Sequence, residues 1–435
     1  MESNGNSTSQ SSKTKPPENS NSSSKKNKPS STPSTSTSSR GKKYDRTMRI
    51  KKKAKLLKRG SRTLEEKRCN RTTEDETQRT ESIHKKLISS NDDRTFEDVT
   101  QSSIYKKPSL DRDKPSTQLQ KQGFIDFARN ALSKGVKGIL NEYTNELVPY
   151  TPTGVTRKAF EANSRRNRYT DVICIDQTRI ILKNQSPDYI HANIVRGGPL
   201  LNVFICTQGP VKETVKDFWR MIVQEQVGNI VMLCDIMESG KLKCQQYWPP
   251  KEGNAIDWGG IVVKNVDVDT ATDVITVIST LEVTVDRKDK FVVKHHHWRS
   301  WPDKSVPKSY LAPFRVLKYV RHSSKPTVVH CSAGIGRTGS IVALEACYQQ
   351  LLSEQSLSVL DMVKWLRKQR WNAVQTDTQY LYLFKCLISF SSKCGYLPPD
   401  LTTKIKKFDE EYQRLIDEKE NKKKIKREID IEYTE

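Results

Sequence analysis

PTVVHCSAGIGRTGSIVA, residues 326–343, is the stretch on which the reading of this chain turns. A buried-strand pattern runs straight into Cys331, then a glycine-rich turn, an arginine and a helix. Strand, tight loop and helix make a phosphate cradle. The loop N–H groups and the positive end of the following helix converge on one point, where they hold an anion. Gly334, Gly336 and Gly339 let the backbone turn that tightly and approach the ligand. Nucleotide-type phosphate loops end in GK[ST]; here a cysteine opens the loop and Arg337 stands six positions later. That exchange turns a loop that holds phosphate into one that attacks it. A thiolate at the focus of these dipoles is stabilised as the anion would be, and cysteines so placed ionise at roughly pH 3.5–7.5. Cys331 is therefore the expected nucleophile, and Arg337 the planar fork that grips two phosphoryl oxygens.

Such chemistry needs a carboxyl group nearby, first to protonate a leaving oxygen and then to activate water. Asp303, in WRSWPDKSVP, is the candidate, since Trp301, Pro302 and Pro307 make its loop a stiff element able to close as a lid. Taken alone, the same segment also reads as an ordinary Pro-rich turn.

Outside this region the chain divides by composition. It is 34% hydrophobic and 29% charged with a formal net charge of +24, and roughly half of that excess lies in the first 120 residues. Residues 1–120 are Ser/Lys-rich with few aromatics, and read as a disordered basic tail. Within it Arg40–Gly60 is more than half basic, which suits an anionic partner such as nucleic acid or lipid, or simply a solvated charge run. Nine cysteines with no CxxC pair indicate neither a disulfide framework nor a zinc cage. No apolar stretch approaches the ~18 residues of a spanning helix. The expectation is a soluble protein of the cytoplasm, with nuclear residence left open, that uses neither metal nor cofactor.

Residues 123–394 read as one α/β domain. Helical spacing of Phe124, Phe127, Ala128 and Leu132 opens it. Strands are predicted at 172–175, 180–182, 203–207, 230–233, 261–268, 274–285 and 291–298, and helices at 217–226, 309–322, 339–352, 358–369 and 378–390. Residues 395–435 are a charged tail holding a short amphipathic helix, with Ile405, Phe408, Tyr412 and Leu415 on one face.

HCSAGIGRTG at His330, WPD at Trp301, NRYTDV at Asn167, TQGP at Thr207, DFWRM at Asp217, KCQQYWP at Lys243 and QTDTQY at Gln375 occur in family order. Together they resemble the catalytic domain of the non-receptor, phosphotyrosine-specific protein tyrosine phosphatases, over about 270 residues. The resemblance implies a highly twisted mixed central sheet flanked by helices, and hydrolysis of phosphotyrosine in proteins through a cysteinyl-phosphate. It implies that Cys331 is the nucleophile, Arg337 the phosphate-binding arginine, Asp303 the general acid and base, and Thr338 the hydroxyl that eases thiolate departure. Gln375 would position the hydrolytic water, with Gln379 in the same segment. Ser332, Ala333, Gly334, Ile335 and Gly336 would form the phosphate loop. Glu238 would brace Arg337, and Lys243 would meet the acid loop. Tyr169 would stack on the substrate ring, and Asp171 would accept hydrogen bonds from the substrate backbone. The sequence departs from the family at Lys304 and Ser305, where an aromatic and a glycine are usual, and at His191, where asparagine is usual.

His295, His296 and His297 read as structural, because only alternate residues of a strand share a face and no nearby carboxylate completes a metal site. His330 reads as a supporting hydrogen-bonding residue. Cys174, Cys206, Cys234, Cys244, Cys347 and Cys386, with Trp219, Trp248 and Trp365, read as core. Two alternatives to an active phosphatase stay open. One is a phosphotyrosine-binding pseudophosphatase, should Lys304 block the lid. The other is a phosphatase of RNA ends or phosphoinositides, which Tyr169 and Asp171 argue against.

Overall fold

The computed structural model describes residues 114–432, so the readings of residues 1–113, Arg40–Gly60 among them, lie outside the described residues. The helices are α1 (Gln118–Glu142), α2 (Lys158–Ala162), α3 (Val215–Gln224), α4 (Ala312–Val320), α5 (Arg337–Leu352), α6 (Val359–Arg367), α7 (Asp377–Lys393) and α8 (Thr402–Glu432). The strands are β1 (Arg179–Ile181), β2 (Tyr189–Val195), β3 (Phe204–Thr207), β4 (Asn229–Met232), β5 (Met237–Glu238) and β6 (Lys241–Leu242). They continue with β7 (Ala255–Asp257), β8 (Ile261–Asp269), β9 (Thr276–Val285), β10 (Asp289–Trp298) and β11 (Thr327–His330).

Nine strands form one mixed sheet in the order β1-β2-β3-β11-β4-β10-β9-β8-β7, and β5 pairs with β6 apart from it. The middle pairs, β3–β11, β11–β4 and β4–β10, are parallel, and every outer pair is antiparallel. Parallel strands are buried on both faces, which is why all four residues of β11, TVVH, are buried without an exposed alternate face. The phosphate loop leaves the carboxyl end of this central strand. Phe218 and Trp219 of α3 pack around Tyr247, and Phe218 also meets His330, while α5 packs against α4, α6 and α7. Helix α5 is buried almost all round, so GSIVALEAC carries no polar stripe.

Several elements differ from expectation. Helix α1 begins at Gln118, five residues before Gly123, because Thr117 and Gln120 form a capping box. Residues 172–175 are not a strand: they run as coil, and Ile173, Cys174 and Ile175 pack with Phe160 and Tyr189 in a small separate cluster. Their β-branched composition reflects burial, not pairing. Strand β2 went unpredicted because YIHANIV mixes His and Asn into a run that is buried nearly throughout. Trp365 is half-buried, lying over Gly198. Helix α8 is long, with 31 residues, and it docks on this same domain through Phe408, Tyr412 and Ile416. Among the described residues no helix is long and apolar enough to cross a membrane.

Candidate active site

The loop after β11 is held by its carbonyls. Gly209 N–H donates to Ser332 O at 3.0 Å, and Val374 N–H to Ile335 O at 2.9 Å. Arg370 donates to Ala333 O at 3.1 Å and to Gly334 O at 2.9 Å. With the carbonyls turned outward, the loop N–H groups face its centre, and Gly334 N–H donates to Cys331 Sγ at 3.2 Å. Gly334 has φ +72°, and a Cβ there would fall 2.1 Å from Thr207 O, so no other residue fits. A Cβ on Gly336 would meet Gln379 Nε2 at 2.9 Å and Gln375 Oε1 at 3.1 Å. Both predicted glutamines therefore lie against the loop. Gln379 also caps α7, its Oε1 accepting from Gln375 N–H and Thr376 N–H.

Arg337, the first residue of α5, is only 2% exposed. Its Nη1 donates to Glu238 Oε1 at 2.5 Å and to Trp301 O at 3.0 Å. Its Nη2 donates to Glu238 Oε2 at 3.0 Å and to Asp303 Oδ1 at 3.1 Å. Burial disfavours the cation, but the Glu238 hydrogen bond and the surrounding negative groups outweigh it, pushing the guanidinium pKa up. The other carboxylate oxygen of Asp303 accepts from Lys243 Nζ at 2.6 Å. Burial acts to raise the Asp303 carboxyl, yet the hydrogen bond from Lys243 and the charges of Arg337 and Lys243 win, so it sits below the usual carboxylate range. Lys243 moves the complementary way: burial lowers it, and Asp303 raises it further. The Trp301–Asp303 segment is thus tied to Arg337 and Lys243, with Lys304 itself exposed.

Tyr169 Oη is 2.7 Å from Ser332 Oγ, and Ser332 Oγ donates to Lys243 O at 3.0 Å. Asp171 is exposed two residues on. Thr338 Oγ1 is buried with no hydrogen-bond partner, an orphan hydroxyl in the first turn of α5. His330 is fully buried, 2.8 Å from Tyr247 Oη, with its pKa pushed down to about 3 by burial. His295 meets the same Tyr247 Oη at 2.7 Å, and His296 pairs with Asn229. His297 reaches Cys234 O. All three histidines thus have structural partners, and among the described residues no cluster suits a metal.

Sequence reasoning passed over two arginines. Arg370 is fully buried and, besides the two loop carbonyls, donates to Asn193 Oδ1 at 2.7 Å and to His191 Nδ1 at 3.2 Å. His191 answers with Nε2–H to Val172 O at 2.8 Å, so the unusual histidine links β2, the segment that follows Asp171, and Arg370. Arg168 clamps the carbonyls of Gly209, Pro210 and Leu242, fixing the Tyr169 segment to the loop after β3 and to β6. Arg370 sits in a charged run, RKQRW, where nothing in the sequence separates a buried guanidinium from a solvated one. Arg168 lies inside a quoted motif, and that position was its only signal. Asp235, unassigned from sequence, pairs with His297 and Arg299 at 3.4 Å.

Comparison with known proteins adds independent weight. The family pattern described as protein-tyrosine phosphatase matches residues 163–389. Tyrosine-protein phosphatase non-receptor type 9 of Homo sapiens is 35% identical over 297 residues, covering 63% of this chain and 49% of that one. Tyrosine-protein phosphatase 69D of Drosophila melanogaster is 37% identical over 270 residues, covering 58% of this chain and 18% of that one. The chain spans about half the length of the first curated relatives it matches. A solved structure described as the structural basis of the PTPN18 fingerprint on distinct HER2 tyrosine phosphorylation sites superposes with a TM-score of 0.53 at 30% identity. It covers 63% of this chain and 99% of that one.

Proposed function

Because the chain belongs to the protein-tyrosine phosphatase family, we propose that it hydrolyses phosphotyrosine in proteins through a covalent phosphocysteine at Cys331. The observation that carries this reading is the convergence of Gly334 N–H on Cys331 Sγ beside a guanidinium shared by Glu238, the Trp301 carbonyl and Asp303. In the first step Cys331 thiolate attacks phosphorus, the bond to the tyrosyl oxygen breaks, and the Asp303 carboxyl gives that oxygen its proton. The phosphoryl group competes with Asp303 for Arg337, so its arrival removes one ion-pair partner of the carboxylate. Its negative charge then favours the protonated acid. In the second step Gln375 holds a water, Asp303 takes its proton, and the sulfur–phosphorus bond breaks to the thiolate. The orphan Thr338 hydroxyl is available to donate to that thiolate.

Tyr169, set by its bond to Ser332, and Asp171 at the rim would read the ring and the substrate backbone. Gln379, Lys243 and His330 hold these groups in register. Lys304 is exposed while its neighbour Asp303 reaches Arg337, which weighs for turnover over a binding-only role. The proposal also covers residues 123–394 as the catalytic domain, cytoplasmic or nuclear residence, and an anionic partner for Arg40–Gly60. The test is a rapid-quench reaction with a phosphotyrosine peptide followed by intact-protein mass spectrometry. The expected result is a phosphoryl adduct on the peptide containing Cys331, absent in Cys331→Ser along with turnover. Turnover by Cys331→Ser within tenfold of the native enzyme would exclude the mechanism.

A further inference from the structure

Along α8, Phe408, Tyr412 and Ile416 follow one another at four-residue spacing and are buried, and Lys419 and Lys422 extend the same stripe at three-residue spacing. The stripe changes from apolar to basic where the helix passes Lys304 and the start of α7. There it closes a groove of about 300 Å³, whose walls are Lys304 on the acid loop and Thr376 and Asp377 at the start of α7. Ile416, Lys419 and Lys422 complete it. The lining thus carries three ammonium groups against one carboxylate, and Lys419 Nζ already meets both Asp377 oxygens at 2.6 Å. Both walls adjoin the catalytic groups. Lys304 directly follows Asp303, and Thr376 directly follows Gln375.

From this arrangement we propose that the groove is an anion subsite for substrate, taking a carboxylate or a second phosphate carried by the same phosphotyrosine peptide. The inference rests on the phosphotyrosine reading above, which already places a peptide across this rim. Basic side chains on two separate elements, converging beside the scissile phosphate, attract an anion through a field stronger than any single exposed lysine provides. The contact also gives α8 a part in substrate choice, and a preference so built weakens as salt screens it.

Binding and turnover separate the two readings. On a Cys331→Ser background, fluorescence anisotropy would measure affinity for three labelled phosphotyrosine peptides. One has neutral flanks, one has Asp and Glu on both sides, and one carries a second phosphate. Lys422→Glu and Lys304→Glu, each alone, should weaken the acidic and doubly phosphorylated peptides about fivefold at low salt and leave the neutral one unchanged. A larger loss on the doubly phosphorylated peptide identifies phosphate as the occupant, and an equal loss identifies any carboxylate. Affinities that neither substitution moves overturn the subsite. In parallel, p-nitrophenyl phosphate turnover with Cys331 intact reads the catalytic proposal. It should be unaffected by Lys422→Glu, and its absence from the native enzyme would count against the catalytic reading while the binding arm still decides the subsite.

Discussion

In the proposed mechanism Asp303 has two opposite tasks. In the free site Lys243 and Arg337 keep it ionised, although a leaving tyrosyl oxygen needs it protonated. Its depressed pKa means that the protonated form of the free enzyme grows only as pH falls, so kcat/KM should decline with rising pH through the acid range. Asp303→Asn should flatten that limb. It should also slow a phosphotyrosine peptide by 10²-fold or more while sparing an activated nitrophenyl ester, whose leaving group needs little protonation. Equal losses on both substrates would remove Asp303 from the role. Arg370 makes a different residue-scale case, because it touches no reacting atom. Arg370→Met should leave the carbonyls of Ala333 and Gly334 without their buried donor, at a cost of about 1–3 kcal/mol for each group stranded. Thermal melting should reveal that loss, and kcat should fall with it, because the loop carbonyls can then turn inward. A variant that melts lower yet keeps native kcat would make Arg370 a support of the fold alone.

Among the elements, the phosphate loop was the most legible and the sheet edges the least. The strand, the three glycines and Arg337 belong to one continuous segment, so their local chemistry fixed the cradle before any tertiary contact was known. Asp303 was proposed from its own run and Gln375 through the family resemblance; Arg370 offered neither signal, because its bonds are to carbonyls 36 and 37 residues away in the chain. Strand β2 and the coil at 172–175 exchanged identities for a related reason. Composition reports burial, whereas pairing depends on a partner strand that the local pattern does not name. Helix α8 was visible by its spacing but not by its seat. Phe408 is 3% exposed and Tyr412 1%, so the helix belongs to the core of the domain. Phe408→Ala should therefore destabilise the protein by about 3–5 kcal/mol, the range for a buried aromatic truncated to alanine. Urea unfolding would measure it. A loss below about 1 kcal/mol would mean that α8 rests on the domain without stabilising it.

At the scale of the whole molecule, the buried histidines set a limit that opposes the proposed role of Asp303 as acid. His191 and His330 have pKa values pushed down to about 3 by burial, and His296 to about 4. His295 is likewise well below its ordinary value because it is buried among other imidazoles. Each is neutral in the fold and would bind a proton near pH 6.5 once unfolded. The unfolded state therefore holds more protons between about pH 6.5 and the folded values, and stability must fall as pH drops through that window. Four such groups give a slope approaching four protons, which is on the order of 5 kcal/mol lost by pH 5.5, against the 5–15 kcal/mol typical of a domain. The lowered carboxylates, Asp303 and Asp377 among them, have the same sign but act only below their unfolded values near pH 4, so the two windows separate. Acidification should thus favour the proton on Asp303 while it undermines the sheet that holds Asp303 in place, and activity should end at the acid side by unfolding. Tm measured from pH 7.5 to pH 4.5 should drop steeply below pH 6.5. His296→Gln offers the control, since His296 meets Asn229 and the ring of Tyr319, and its Nδ1 is buried without a partner. That substitution should remove about one proton from the slope and leave the kcat/KM profile above pH 6.5 unchanged. A Tm that is flat between pH 6.5 and pH 5 would show that these imidazoles gain access to solvent before the protein unfolds.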